Sequence, residues 1–180
     1  MTMEENVQTE MPTTRSVGML YGLIMAVVSI VYFIVLILAG VDMTSGFGRW
    51  FSTIFYIAII YLAHKNFKDN GDGFLSFGQG MGITFWISII SSAIYSAFFY
   101  IYIKFLDSTF VEMIKEKQME EMQAKGMQEE QIDQAMKMAS MFMSPEVMSS
   151  FSVVFGVIFI LIIGIFVTLF TQKKDPNAIV

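Results

Sequence analysis

The sequence predicts an all-α integral membrane protein: four transmembrane helices, with a helical, hairpin-like amphipathic insert between the third and the fourth. Three observations carry this expectation. Hydrophobic residues make up 55% of the 180-residue chain, more than a small soluble domain can cover with polar surface. They fall in long uncharged blocks with nearly all the charges between them. One stretch, Asp107 to Met148, breaks the pattern by carrying nine acidic residues and four lysines.

Taken in order, the first ten residues hold Glu4, Glu5 and Glu10 with no positive charge, unlike a secretory signal, and residues 1–14 read as a disordered tail. Residues 15–180 then form a single membrane domain. The first block is uncharged over 26 residues, Ser16 to Val41, enough for a span at 16–41. A turn rich in breakers follows, from Gly40 to Gly46. The second block offers only 15 uncharged residues, Trp50 to His64, and spans at 47–64 if the stems of Arg49 and Lys65 snorkel. Trp50 and Tyr61 suit interfacial anchors. The loop Lys65 to Gly73 reads as a plain polar turn. It holds Asp69, Asn70 and Asp72 but lacks the spacing and terminal Glu of a calcium loop.

The third span is expected at 79–105. Along it Ser88, Ser92 and Ser96 recur every fourth residue, and Gly78 and Gly82 repeat the same spacing. Small residues four apart let helices approach closely in lipid, so these five are helix-packing candidates. The fourth span, at 147–171, opens with Ser144 as N-cap and Pro145 at the first helical position. Ser152, Gly156 and Gly164 share one of its faces and complete the packing set.

In the insert, 107–146, Thr109 to Glu112 fits a capping box and Gly126 a helix stop. A second helix follows, with Ile132, Met136, Ala139, Phe142 and Met143 on one stripe, the expected interaction face for a protein partner or a second copy. The stretch Asp107 to Met148 holds more than half of the 16 methionines, and soft thioethers raise Cu(I) binding as a remote alternative. Helical geometry argues against it: Met138 and Met141 share one face, Met136 and Met143 the opposite one.

Composition narrows the function. A net charge of −5, with 11 scattered basic residues, speaks against nucleic acid as a partner. The absence of cysteine removes thiolate sites and nucleophiles, and a single histidine, His64, removes paired-imidazole sites. No catalytic, cofactor-binding or metal residues are therefore expected. His64 and Lys104 are expected at helix ends, where polar heads snorkel to the interface. The reading that follows is a non-enzymatic accessory, scaffold or interaction subunit. A small transporter or channel for a neutral solute, lined by Ser88, Ser92 and Ser96 and acting as an oligomer, is the alternative. Four spans place both termini and the Lys65–Gly73 loop on one side with Arg15, Lys65, Lys68, Lys173 and Lys174. The positive-inside tendency assigns that side to the cytoplasm and the insert to the outside.

The overall plan from Arg15 onward resembles a family of bacterial membrane proteins, mostly from Bacteroidetes, classed as domain of unknown function 4199. Three segments carry the likeness: Phe74-Leu75-Ser76-Phe77-Gly78-Gln79-Gly80, Ser91-Ser92-Ala93-Ile94-Tyr95-Ser96, and Lys125-Gly126-Met127-Gln128-Glu129-Glu130-Gln131-Ile132. Gln128 stands where a serine cap would be expected. The resemblance implies the inner membrane of a Gram-negative cell, with the insert in the periplasm, and it supplies neither an activity nor site residues.

Overall fold

A computed structural model describes residues 11–41 and 46–176, without the side chains of residues 46–50. The tail expected at 1–14 lies outside the described residues up to residue 10. So does residue 42–45 of the turn expected after the first span. Six α-helices are described: α1 (Thr14–Leu38), α2 (Gly46–Asp69), α3 (Phe77–Ile101), α4 (Phe110–Ala124), α5 (Glu129–Ser140) and α6 (Pro145–Thr171). Helix α3 runs on into a π turn, Tyr102–Leu106.

Local chemistry sets most of the boundaries. Helix α1 starts where the Thr13 hydroxyl accepts the Ser16 N–H at 3.0 Å and Ser16 Oγ accepts the Thr13 N–H at 3.1 Å. It stops at Gly40, whose φ of +61° lets the Val41 N–H turn back to the Leu36 carbonyl. Ser76 and Gln79 cap α3 in the same reciprocal way. Ser144 caps α6, with Pro145 at its first position. Gly126, at φ +75°, ends α4 as the sequence implies. The expected capping box at Thr109 does not form. Asp107 takes the role, its Oδ1 accepting from the Thr109 N–H at 3.1 Å and the Thr109 hydroxyl at 2.6 Å. A carboxylate two residues upstream reaches both groups of Thr109 at once, so the hydroxyl is turned away from the helix end.

Among the described residues three helices are long and apolar enough to cross a membrane: α1, α3 with its π turn, and α6. Helix α2, 24 residues long, lies against α1 and α6 but carries Lys65, Lys68 and Asp69 in its last turns and is not one of those three. Helix α3 is the hub and packs on both α1 and α6.

Glycines make the close approaches possible. A Cβ at Gly18 of α1 would lie 2.5 Å from the Trp86 Cβ, and one at Gly22 would lie 2.9 Å from the Ile90 Cβ. On the other side of α3, a Cβ at Gly156 would stand 2.7 Å from Ser92 Oγ, and one at Gly164 would overlap Thr84. Ser88, Ser92 and Ser96 are all buried, and Ser96 donates to the Ser149 carbonyl of α6 at 2.7 Å.

Two packing candidates fall elsewhere. Gly78 is exposed with nothing near a built Cβ, and Gly82 meets only Thr14 at ordinary contact distance. They share the spacing of the serines but not the register. Two residues out of phase turns a helical position by about 200°. The glycine in register with Thr84, Ser88, Ser92 and Ser96 is Gly80, where a Cβ would lie 2.5 Å from Thr168 Cγ2.

Candidate functional site

The interior of the bundle differs between its two ends. At the end holding the described termini, one apolar cluster fills the centre, with Met25, Ile60, Ala63, Ile83 and Ile87 fully buried. His64 is buried with them. It lies inside α2, which continues to Asp69, and not at a helix end as expected from the flanking charges. Its Nε2 faces the Gly80 carbonyl at 3.1 Å and its Nδ1 the Thr171 hydroxyl at 2.7 Å. A carbonyl only accepts, so Nε2 carries a proton, and one imidazole ties α2 to both α3 and α6. Thr84 adds a bond to the same Gly80 carbonyl at 3.0 Å. Below it, the Lys68 ammonium donates to the Thr171 carbonyl at 3.0 Å, a cation at a helix C-terminus. Leu75 and Lys173 pair their backbones in both directions at 2.9 Å.

At the end holding the insert, aromatic rings replace aliphatic packing. Phe33 of α1 is the centre of a cluster. Its ring lies 5.0 Å from Tyr102, 5.7 Å from Phe98 and 6.2 Å from Phe110, mostly edge to face. Phe110 brings α4 onto this cluster, so the first insert helix folds back over the bundle. Asp107, in the link from the π turn to α4, accepts from the Tyr102 hydroxyl at 3.0 Å. The hydrogen bonds from Thr109, and then Tyr102, hold its carboxyl below the usual carboxylate range. Lys104 pairs with Glu146 at 2.6 Å and joins the end of α3 to the start of α6.

Beside this cluster the packing opens into a cavity of about 660 Å³ between α1, α2 and α3, roofed by α4. Its wall combines aromatic rings, those of Phe33, Phe55, Tyr56, Tyr95, Phe99 and Phe110 among them, with aliphatic side chains, and carries Asp107 and Lys117 near the insert. Its volume falls within the range of about 300–1,000 Å³ typical of small-molecule sites. A recess of about 100 Å³ lies beside it, lined by Ser91, Ser92, Ser152 and Gly156 among others. Ser29, Tyr56 and Tyr95 line both spaces, so the two adjoin.

The hydroxyls of the α3 stripe are mostly taken. Ser88 donates to the Phe85 carbonyl at 2.8 Å and Ser91 to the Ile87 carbonyl at 2.7 Å, as intrahelical serines do. Ser92 is the exception: its Oγ is buried and without a hydrogen-bond partner. Among the described residues no three His, Asp or Glu side chains gather as metal ligands do.

The expected interaction face of the insert is divided. Ile132 and Met143 are buried within the chain, Met136 and Ala139 are half-buried, and only Phe142 is open, its ring 6.0 Å from Phe151. The large apolar residues most exposed on this part of the insert are Met138, at 68%, and Met141, at 73%, which the stripe did not include. Sequence reasoning also missed Gly18, Gly22, Gly80, the inward place of His64 and the cavity. The pair Gly18 and Gly22, four apart in an apolar helix, was the signal available for the first two.

Three long apolar helices packed through small residues fit a multi-pass helical membrane protein. A family model described as protein of unknown function (DUF4199) matches residues 20–173, and the chain belongs to that family. No curated protein and no solved structure matches the chain. The three segments that carried the resemblance have local roles here. The first holds the α3 cap and Gly80, the second holds Ser91, Ser92 and Tyr95 of the recess, and the third holds the Gly126 stop. In the third, Gln131 Oε1 accepts the Gln128 N–H at 3.2 Å, which supports the start of α5 where a serine cap was expected.

Proposed function

We propose that the chain is a four-span protein of the bacterial cytoplasmic membrane that acts by binding, as a non-enzymatic accessory or interaction subunit. The observation that carries this reading is where the chemistry-bearing groups inside the bundle are held. The only imidazole of the chain is tied to Thr171 and Gly80, and Ser88, Ser91 and Ser96 donate to backbone carbonyls. A serine nucleophile needs a base within hydrogen-bond reach, and His64 is already held by other partners. The same bonds disfavour a neutral-solute path along the stripe, where the Ser88 and Ser96 hydroxyls are already donated and only that of Ser92 is left.

The fourth span is α2. Ile54, Ile57, Tyr61 and Leu62 are exposed apolar residues on it, as a lipid-facing surface requires, while Ile60, Ala63 and His64 are buried in the core. Both termini then share the side of Arg15, Lys68 and Lys173, which the positive-inside tendency assigns to the cytoplasm. The insert stands outside and presents Met138, Met141 and Phe142, flexible apolar groups suited to a partner surface.

The test is cross-linking in native membranes, followed by purification in mild detergent and quantitative mass spectrometry. The expected result is one stoichiometric partner, or a second copy, cross-linked through Lys125 or Lys137 and lost when Met138 and Met141 are both changed to Ser. Recovery of the chain alone, or a partner indifferent to those changes, overturns the reading.

A further inference from the structure

The unpartnered Ser92 hydroxyl lies next to open space, and that combination points to a ligand. Its neighbours Ser88 and Ser91 bond back to their own helix, whereas Ser92 Oγ is buried without a partner against the bare face of Gly156, and Ser92 lines the recess. A buried hydroxyl without a partner is destabilising, and such groups are normally satisfied. A neutral oxygen placed in the recess would accept from Ser92, with Ser29 and Tyr95 at the junction to the larger cavity. The larger cavity offers rings, from Phe33 and Phe99 among others, which suit an apolar body and not a column of water. Asp107 and Lys117 stand on the insert side of the cavity and not in the recess, so no charge waits there for an ionised head group.

We propose that the joined cavity is a binding site for a small neutral amphipathic molecule. Its hydroxyl or carbonyl oxygen is held at Ser92 and its apolar body lies among the aromatic rings of α1 and α3. This goes beyond the accessory reading and does not depend on it. The same chemistry reaches the site from two sources, a membrane-dissolved alcohol or a water-borne aryl alcohol or ketone.

The experiment uses the full chain in lipid nanodiscs with two photoreactive probes, a diazirine-bearing hexadecanol and 4-(hydroxymethyl)benzophenone, each beside its analogue lacking the hydroxyl. The expected result is saturable labelling of peptides around Ser29 or Tyr95 by at least one probe, stronger than by its analogue, and the probe that labels identifies the source. Ser92→Ala weakens that labelling about tenfold while leaving the thermal midpoint of the ligand-free protein unchanged or raised, because it removes an unpaired hydroxyl. Ser88→Ala, whose hydroxyl is bonded to its own helix, leaves labelling unchanged. Labelling that does not saturate, that is equal for the analogue, or that survives Ser92→Ala overturns the proposal. So does a lowered midpoint in Ser92→Ala, which would mean that the hydroxyl has a partner within the protein.

Discussion

The two ends of this bundle solve the same problem differently. At the end with the termini, helices are drawn together by bare glycine faces and by directed bonds, of which His64 to Gly80 and Thr171 is the clearest. At the insert end they are held by ring contacts around Phe33, and space is left over. Rings stack at centroid separations of 5–6 Å and do not fill volume as aliphatic chains do, whereas a glycine face brings backbones into contact. One end is therefore closed and specified by bonds, and the other is adhesive and leaves room for a guest.

Substitutions sharpen this contrast, beginning with the largest expected effect. Phe33→Ala removes the centre of the aromatic cluster and should cost about 3–5 kcal/mol, read as a lowered thermal midpoint in detergent. Its damage should concentrate at the insert end, with hydrogen exchange rising in α4 before α2. Gly164→Val forces a side chain into Thr84 and should cost about 1–3 kcal/mol, whereas Gly78→Ala should change almost nothing because nothing faces it. Equal effects from these two would break the register assignment for α3. His64→Phe should cost about 1 kcal/mol, since the Gly80 carbonyl keeps Thr84 and the Thr171 hydroxyl can donate to the Val167 carbonyl, 2.8 Å away, in place of the imidazole.

The smallest effect belongs to Asp107. Its carboxyl is held below the ordinary range in the folded protein, so the bonds to Thr109 and Tyr102 are fully present above that range. They are lost as pH falls through the depressed value. Hydrogen exchange at the start of α4 should rise in acid, and Asp107→Ala should show the same rise at neutral pH.

Much of this architecture was legible because it rests on local rules. Ser144 with Pro145, and Gly126, mark boundaries by backbone chemistry that needs no tertiary context. The packed serines and Gly156 and Gly164 were legible because small residues in an apolar helix have few other uses. The failures arose where a rotation had to be known. Gly78 and Gly82 match the serine spacing but point to another side, and only the true register selects Gly80. His64 was misplaced because Lys65 and Lys68 imitate a helix end, although α2 runs on to Asp69 and turns the ring inward. The cavity has no local signature at all. It forms where residues from α1, α2, α3 and α4 fail to meet, which no single segment encodes.

The contrast between the two ends is most directly tested by cysteine accessibility, since the chain has no native cysteine to interfere. Single substitutions at Ser29 and Ser52, on the cavity wall, and at Ala63 and Thr168, in the sealed end, would be exposed to a small uncharged, membrane-permeant maleimide in intact membranes. The expected result is rapid modification of Ser29→Cys and Ser52→Cys with Ala63→Cys and Thr168→Cys silent. Reaction at the His64 end, or silence at all four, would contradict a bundle that is closed at one end and open at the other.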